Sequence, residues 1–326
     1  MISVRNRAFG FLAIAALAVG ACSSAAATPT VPPATATPTV APATATPVGS
    51  VAPTAVPTPT AVPLPTVPAD QLVVAGHLTI CSDIPYPPQE YFDANGNPTG
   101  SDIEIGTEIA NRLGLKVAVQ NTVFDTIIAA LQGAKCDIII SAQNITPDRL
   151  KVVDMIPFFL AGQSFLVAKG NPDAIKTTDD LCGKTVGVET GTTEADHLNG
   201  TGNYKTSGGL SKACTTAGKA AINVTPFLKD SDALQALGAS KVSAYFTDSP
   251  VAGYYVTQHP DQFELVQGLN LDPVKEGISV SKGASGPTAL ETSVKAALDS
   301  MLADGTYIKI LTKYNVQSCA VTSTNP

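Results

Sequence analysis

Polar residues follow four short apolar stretches of this sequence, and their side chains suit the binding of a small charged ligand. These residues are Asp83, Ser141-Ala142-Gln143-Asn144, Gly191-Thr192-Thr193 and Asp248. Carboxylates, hydroxyls and amides can hydrogen-bond a ligand, whereas nucleophilic catalysis requires a nucleophile beside a general base. Because no such pair is evident among them, the pattern indicates a binding site more than a catalytic one.

Predicted strands and helices alternate around the first of these residues. Strands are predicted at 78–81, 116–120 and 137–140, and helices at 102–113 and 125–131. The third strand contains a run of isoleucines, which is typical of a strand buried on both faces of a parallel sheet. Strands that alternate with helices predict an α/β layer with right-handed crossovers.

A second unit of the same kind follows. Its predicted elements are strands at 164–168, 185–189 and 244–246 and helices near 232–237 and 250–257. A strand at 277–281 and a final helix at 290–304 are predicted after it. We therefore predict two α/β lobes, with residues 70–163 and 272–326 in lobe 1 and residues 164–271 in lobe 2. The chain should cross between the lobes near residues 159–163 and 272–276. Since ligands of open α/β sheets bind beyond the carboxyl ends of the strands, the polar residues should meet there.

The composition limits the classes of partner. The formal net charge of the 326-residue chain is −7, and it becomes −9 when Arg5 and Arg7 of the N-terminal segment are removed. The sequence has no cluster of Lys and Arg, which argues against nucleic acid and anionic lipid as partners. No cysteine pair has the spacing of metal ligands, and we expect neither a metal nor a cofactor.

The N-terminus has the pattern of an export signal. Arg5 and Arg7 precede an apolar run at 8–19, which is shorter than the roughly 20 residues of a membrane-spanning helix. The sequence Val19-Gly20-Ala21-Cys22 resembles a bacterial lipobox, whose cysteine carries diacylglycerol. We expect a signal peptide at 1–21 and a lipid anchor at Cys22, on the extracytoplasmic face of the cell membrane. An ordinary secretory signal, with Cys22 there by chance, is the alternative.

A tether is predicted behind this anchor. Residues 22–69 consist almost wholly of Ala, Thr, Pro and Val after the cysteine. So many prolines disfavour helices and central strands and favour a semi-rigid, polyproline-like spacer. At about 3.1 Å per residue, the spacer would hold the folded part up to roughly 145 Å from the membrane.

Five cysteines remain if Cys22 carries lipid, and they are Cys81, Cys136, Cys182, Cys214 and Cys319. Exported proteins can keep disulfides, and Cys182 and Cys214 bracket a stretch rich in Gly and Thr. We predict a disulfide between these two, which would stabilise the fold by roughly 3 kcal/mol. Five free thiols are the alternative, and the pairing of the other three cysteines is left open.

Several motifs across residues 78–316 agree in order and spacing with one protein family. They include Cys81-Ser82-Asp83-Ile84-Pro85-Tyr86, Phe124-Asp125-Thr126-Ile127-Ile128, Ile145-Thr146-Pro147-Asp148-Arg149 and Ala303-Asp304-Gly305-Thr306-Tyr307. The folded part resembles the family 3 extracellular solute-binding proteins, which are substrate-binding lipoproteins of polar amino-acid ABC transporters. The resemblance implies a two-lobed periplasmic-binding-protein-like fold of type II. It also implies a monomer without enzymatic activity that captures a free amino acid by lobe closure and delivers it to the permease subunits.

The resemblance implies roles for individual residues. Arg149 matches the arginine that binds the ligand's α-carboxylate, and a planar guanidinium offers two parallel donors for that purpose. Asp248 matches the acid that binds the α-ammonium from the other lobe. Thr192 and Thr193 match the loop that completes the carboxylate site. The alternatives are an Arg149 that pairs with a neighbouring aspartate and an Asp248 that caps the following helix.

Further matched positions surround the rest of the ligand. Tyr86 and Phe124 match two aromatics that enclose its side chain, although both could instead be core residues. Backbone and hydroxyl contacts to the α-groups are expected from Ser141, Ala142 and Asn144, where Asn144 replaces the usual Ser or Thr. The positions that set side-chain selectivity are Asp83, Gln143 and Glu189. Two carboxylates there favour a basic ligand, such as arginine, lysine, ornithine or histidine, over glutamine or another neutral polar amino acid.

Two other functions are consistent with the same resemblance. Some relatives with this fold are periplasmic cyclohexadienyl or arogenate dehydratases, which need a general acid or base. His77, His197 and His259 are the candidates for that role, but none falls at a matched pocket position. The second alternative is a partner-dependent amino-acid sensor.

Overall fold

The computed structural model describes residues 63–325. The expected signal peptide, the anchor at Cys22 and most of the expected tether therefore lie outside the described residues. The strands are β1 (His77–Ser82), β2 (Tyr91–Phe92), β3 (Pro98–Thr99), β4 (Lys116–Asn121), β5 (Ile138–Ile139), β6 (Val153–Ala168), β7 (Thr185–Glu189), β8 (Asn223–Phe227), β9 (Ala244–Asp248) and β10 (Phe263–Ser281).

Eight α-helices accompany these strands in the described part of the chain. They are α1 (Ser101–Arg112), α2 (Ile127–Gln132), α3 (Thr193–Asn199), α4 (Gly209–Thr216), α5 (Asp230–Gly238), α6 (Ser249–Gln258), α7 (Ala289–Asp304) and α8 (Thr306–Lys313). Between residues 63 and 325, no helix combines the length and the apolar character that crossing a bilayer requires.

One sheet of eight strands, in the order β4-β1-β5-β10-β6-β9-β7-β8, runs through both lobes. In lobe 1, β1 is parallel to β4 and β5, and in lobe 2, β7 is parallel to β8 and β9. The long strands β6 and β10 pair antiparallel with each other and join the two parallel groups. The predicted two-lobed α/β fold with two crossovers is thereby confirmed.

Each lobe has its own apolar core. In lobe 1, Leu78 and Ile80 of β1 pack with Ile105 of α1, Ile138 of β5 and Met301 of α7, all of them fully buried. The isoleucine run of β5 is buried on both faces, as its sequence predicts, although β5 is parallel to β1 and antiparallel to β10. Burial of apolar surface stabilises the folded state by about 25 cal/mol per Å². Each lobe is therefore stabilised by a core of its own.

The core of lobe 2 is built around its parallel strands. Val186 and Val188 of β7 pack against Leu198 of α3 in one fully buried cluster. The rings of Phe165 in β6 and Phe246 in β9 stack there with centroids 4.0 Å apart. These contacts hold the carboxyl ends of β7 and β9 side by side, where polar residues follow both strands.

The two crossings are strands instead of loops. Phe159 pairs with Glu276 and Gln163 with Leu271, so the expected connecting segments lie inside β6 and β10. The pairing shifts register at three places, one of them between Glu276 and Gly277, and such bulges bend a strand. Sequence patterns did not predict that β6 and β10 are continuous strands, because Pro and Gly residues such as Pro157 and Gly268 interrupt their apolar alternation.

Two disulfides brace the lobes. The predicted bond between Cys182 and Cys214 is present in lobe 2. A second bond joins Cys81 of β1 to Cys136, which precedes the neighbouring strand β5. The alternative of five free thiols is therefore wrong, and among the described residues Cys319 alone is a free cysteine.

Candidate ligand-binding site

A small cavity lies between the lobes at the carboxyl ends of the strands. Its lining residues are Asp83, Tyr86, Glu90, Phe124, Ser141, Ala142, Asn144, Arg149, Glu189, Thr192, Thr193, Glu194 and Asp248. All the predicted ligand-binding residues except Gln143 are among them. Glu90 and Glu194 are additions that the sequence did not indicate.

Arg149 is held in place by backbone carbonyls from both lobes. Its Nη1 donates to the carbonyl of Asn144 at 2.8 Å, and its Nη2 donates to the carbonyl of Gly191 at 3.0 Å. The guanidinium carbon lies 5.3 Å from the centre of the Phe124 ring. Asp148 pairs with Lys151 at 2.5 Å, and no ion pair joins Arg149 to either neighbouring aspartate. Since a guanidinium has five N–H donors, donors remain for a carboxylate in the cavity.

Gly191 permits this arrangement. Its φ is +78°, a conformation that favours glycine. A Cβ atom at this position would come within 2.9 Å of the Asp125 backbone. The glycine therefore brings its carbonyl close to Arg149 across the cleft, directly before Thr192.

Asp248 ends β9 and is almost fully buried. Its Oδ2 accepts a hydrogen bond of 2.8 Å from the Tyr86 hydroxyl, which belongs to lobe 1. Its Oδ1 has no donor, and its side chain makes no capping hydrogen bond to α6. Burial, followed by the charge of Glu194, raises the pKa of Asp248 well above its usual value. A cation in the cavity would relieve both effects.

Glu194 and Glu90 are buried carboxylates on opposite lobes. Glu194 lies in the first turn of α3, and its Oε1 has no donor. Glu90 accepts a hydrogen bond of 2.7 Å from Ser141 Oγ, while its Oε2 has none. Burial is the main cause that raises the pKa of each. Glu194 directly follows the Gly-Thr-Thr loop in the sequence.

The Gly-Thr-Thr loop contacts the turn after β5. Thr193 Oγ1 lies 3.1 Å from Oδ1 of Asn144, whose buried Nδ2 has no acceptor among the described residues. Thr192 caps α3, because its Oγ1 accepts from the Ala195 amide at 3.1 Å. Both N–H donors of Asn144 Nδ2 are therefore without an acceptor in the described part of the chain, at a position where the family pattern has a hydroxyl.

The turn after β5 is itself held by buried carboxylates. Ser141 Oγ accepts from the amide of Asp83 at 2.8 Å as well as donating to Glu90. Ala142 has a φ of +44°, and its amide donates to Asp102 at 3.1 Å. The strained backbone of Ala142 is therefore supported from α1, which is a common arrangement at functional sites.

Gln143 does not line the cavity, contrary to the expectation from its sequence position. Its side chain is buried, and its Oε1 accepts a hydrogen bond from the Ser279 hydroxyl of β10. The reason is the turn itself, which directs Gln143 to the sheet while its neighbours line the cavity. Its side chain therefore contacts β10 instead of the cavity.

Asp83 and Glu189 lie together at one end of the cavity, as predicted. Oδ2 of Asp83 accepts from the Phe124 amide at 2.6 Å, and Oδ1 forms an ion pair with Lys229. Oε1 of Glu189 accepts from the Asp230 amide at 3.1 Å. Burial, then the charges of Asp230 and Asp83, raise the pKa of Glu189 well above its usual value. Lys229 had no sequence signal of its own.

The histidines lie outside the site. His197 contacts Oε1 of Gln163 at 2.9 Å and stacks on Tyr204, and neither His77 nor His259 lines the cavity. Among residues 63–325, no group of three or more His, Cys, Asp or Glu side chains is arranged to hold a metal ion.

Comparisons with known proteins agree with this geometry. The family model of the bacterial extracellular solute-binding proteins, family 3, matches residues 78–317. The L-cystine-binding protein TcyJ of Escherichia coli (strain K12) is 28% identical over 232 residues, which cover 71% of this chain and 79% of the relative. The solved structure of an ancestral arginine-binding protein bound to arginine is 37% identical, with a TM-score of 0.64 over 73% of this chain and 98% of that chain. The structure of an ancestral arginine-binding protein bound to glutamine has the same identity and TM-score and covers 74% and 98%.

Proposed function

Because this chain belongs to the bacterial extracellular solute-binding proteins of family 3, we propose that it captures a free polar L-amino acid, preferably a basic one, for the permease of an ABC importer. The relatives reported above bind amino acids, and this chain is a binding protein and not an enzyme. None of the three histidines considered for the dehydratase-like alternative lines the cavity.

The observation that carries the proposal is a pair of opposite charges on the two lobes of one cavity. Arg149 of lobe 1 offers N–H donors suited to an α-carboxylate. Asp248 of lobe 2 offers a buried oxygen without a donor, which suits an α-ammonium group. A zwitterionic amino acid satisfies both at once, whereas a ligand with only one of these charges leaves the other side chain uncompensated.

The lining charges favour a basic side chain. Once an amino acid pairs its α-groups with Arg149 and Asp248, the lining carboxylates of Glu90, Glu189 and Glu194 remain without a cation. Burial is the main cause that raises the pKa of each of them, and it outweighs the opposing charges of Lys229 on Glu189 and of Arg149 on Glu194. A second positive charge on the ligand would stabilise them in ionised form. Tyr86 and Phe124, which also line the cavity, would flank the aliphatic part of such a side chain.

Capture would occur through closure of the lobes. The cavity is bounded by both lobes, so a bound amino acid gains its full set of contacts only when they meet. A ligand that contacts both lobes binds the closed form more tightly than the open form, and this difference in affinity shifts the equilibrium to the closed form. The bulged strands β6 and β10 are the elements that would bend. The permease would then receive the closed protein.

A thermal-shift screen of the twenty amino acids and ornithine tests the proposed function. We expect arginine, lysine or ornithine to raise the melting temperature most, by at least about 5 °C at one hundred times its Kd, since binding at that level adds about 2.7 kcal/mol. Small-angle scattering should show compaction with the same ligand. The proposal fails if no amino acid raises the melting temperature.

We further propose that Cys22 carries a lipid that anchors the protein to the membrane. Support comes from the sequence Val19-Gly20-Ala21-Cys22, which resembles a bacterial lipobox. Intact mass of detergent-extracted protein should show cleavage before Cys22 with added diacylglycerol, and Cys22→Ala should move the protein to the soluble fraction. An unmodified mass with Cys22 retained would contradict the anchor.

A further inference from the structure

The ion pair between Lys229 and Asp83 crosses the cleft at the side-chain end of the cavity. Lys229 immediately precedes α5 of lobe 2, whereas Asp83 follows β1 of lobe 1. We propose that Lys229 is a resident counter-ion for Asp83, which lets the cavity close over amino acids that carry no cation in their side chain. This inference rests on the proposed function and makes Lys229 a specificity-determining residue.

Asp83 is saturated by contacts within the protein. One carboxylate oxygen pairs with the Lys229 ammonium, and the other accepts from the Phe124 amide at 2.6 Å. The ammonium also lies 3.4 Å from the carbonyl of Ile84 and 3.4 Å from Oδ1 of Asn121, both on lobe 1. Both oxygens of Asp83 are therefore engaged within the protein, and the positive charge beside Asp83 is that of Lys229.

The surroundings of Asp83 make a counter-ion necessary when the lobes meet. The Asp83 side chain is only 5% exposed. Glu189 and Asp230, which lie nearby on lobe 2, add negative charge, and the charge of Asp83 raises the pKa of both. Removing one partner of a buried ion pair leaves an uncompensated charge and is strongly unfavourable. Without Lys229, closure over a neutral side chain would bring these carboxylates together with no cation.

A basic ligand changes this balance. Its side-chain cation can compensate Asp83 and Glu189 directly, so closure no longer depends on Lys229. The Lys229 side chain is 24% exposed and carries its charge on a flexible four-carbon stem, so it can yield its place to such a cation. The wild-type cavity should therefore accept both basic and neutral polar amino acids, with Lys229 needed only for the neutral ones.

Calorimetry with arginine and glutamine on Lys229→Met tests the inference in the full-length protein. We expect glutamine affinity to fall at least tenfold and arginine affinity to fall less than threefold, so the arginine-to-glutamine ratio rises. Methionine keeps the length and flexibility of the side chain without its charge. Lys241→Met is the matched control, since Lys241 is an exposed lysine of the same lobe outside the cavity lining. The arginine-to-glutamine affinity ratio of this variant should stay within twofold of wild type.

The double variant Asp83→Asn/Lys229→Met isolates the charge. With the carboxylate also removed, the charge that Lys229 pairs with is gone, and glutamine affinity should return to within threefold of wild type. The inference is overturned if Lys229→Met leaves the ratio unchanged, if the double variant does not recover glutamine binding, or if the wild type binds arginine but not glutamine. If the wild type bound no amino acid, the proposed function would be overturned and this inference with it. That result is distinguishable from the three outcomes above, in which the wild type still binds an amino acid.

Discussion

Arg149→Met is expected to weaken arginine binding at least 100-fold, the largest effect of any single substitution in this protein. The variant removes the guanidinium that offers two parallel N–H donors to an α-carboxylate. Truncating one partner of a buried charge pair costs 2–5 kcal/mol or more, and 100-fold corresponds to about 2.8 kcal/mol. Titration calorimetry at pH 7 measures the change directly.

Agmatine, which is arginine without its carboxylate, distinguishes this role from a general loss of the site. Wild type should bind arginine far more tightly than agmatine, while Arg149→Met should bind the two with similar affinity. Arg112→Met is the matched control, because Arg112 pairs with Glu108 and Asp304 in lobe 1 away from the cavity. It should lower stability yet keep arginine affinity within twofold. If Arg149→Met still preferred arginine over agmatine as strongly as wild type does, the carboxylate assignment would be wrong.

Asp248→Asn is expected to weaken arginine binding at least 30-fold. Asparagine preserves the size of the side chain and an acceptor for the Tyr86 hydroxyl, which now donates at 2.8 Å. It removes the negative charge, however, so the α-ammonium group would be buried without a counter-charge. The loss should be small for 5-guanidinopentanoic acid, which lacks the α-amino group. A 30-fold loss for that compound as well would contradict the assignment of Asp248 to the ammonium.

The stability of Asp248→Asn without ligand separates lost binding from lost folding. Burial and Glu194 raise the pKa of Asp248 above its value in the unfolded chain, so the folded state binds the proton more tightly. The ionised carboxylate therefore costs stability, and this cost grows as the pH rises above the pKa of the unfolded chain. We expect the melting temperature of the unliganded wild type to fall between pH 5 and pH 8, and that of Asp248→Asn to fall less. Asp232→Asn, which alters an exposed residue of α5, should behave as wild type does.

Local sequence patterns predicted several of the elements that build each lobe. The isoleucine run before Ser141 predicted a central parallel strand, and β7 was predicted with the bounds that the structure has. Such patterns succeed because the alternation of apolar residues directly reflects which face of a strand or helix is buried. Short polar helices such as α3 and α4 were missed, since they bury too few apolar residues to produce a period.

Some residues of the cavity could likewise be predicted from the sequence, and others could not. Arg149, Asp248, Asp83 and Glu189 could be named from the sequence because each belongs to a motif or follows a strand whose end is predictable. Most of the cavity lining was therefore anticipated. The roles of these residues toward a ligand stay predictions that the two substitutions above test.

The sequence alone determined that two α/β lobes should carry a polar binding site with an arginine and several carboxylates. Only the tertiary structure decided that Lys229 meets Asp83, that Glu90 and Glu194 join the cavity, and that Gln143 turns away from it. Lys229 and Asp83 are 146 residues apart, and no local pattern records a contact between side chains on different lobes. Periodicity reports burial within an element, whereas charge pairing across a cleft depends on how β6 and β10 bring the two lobes together.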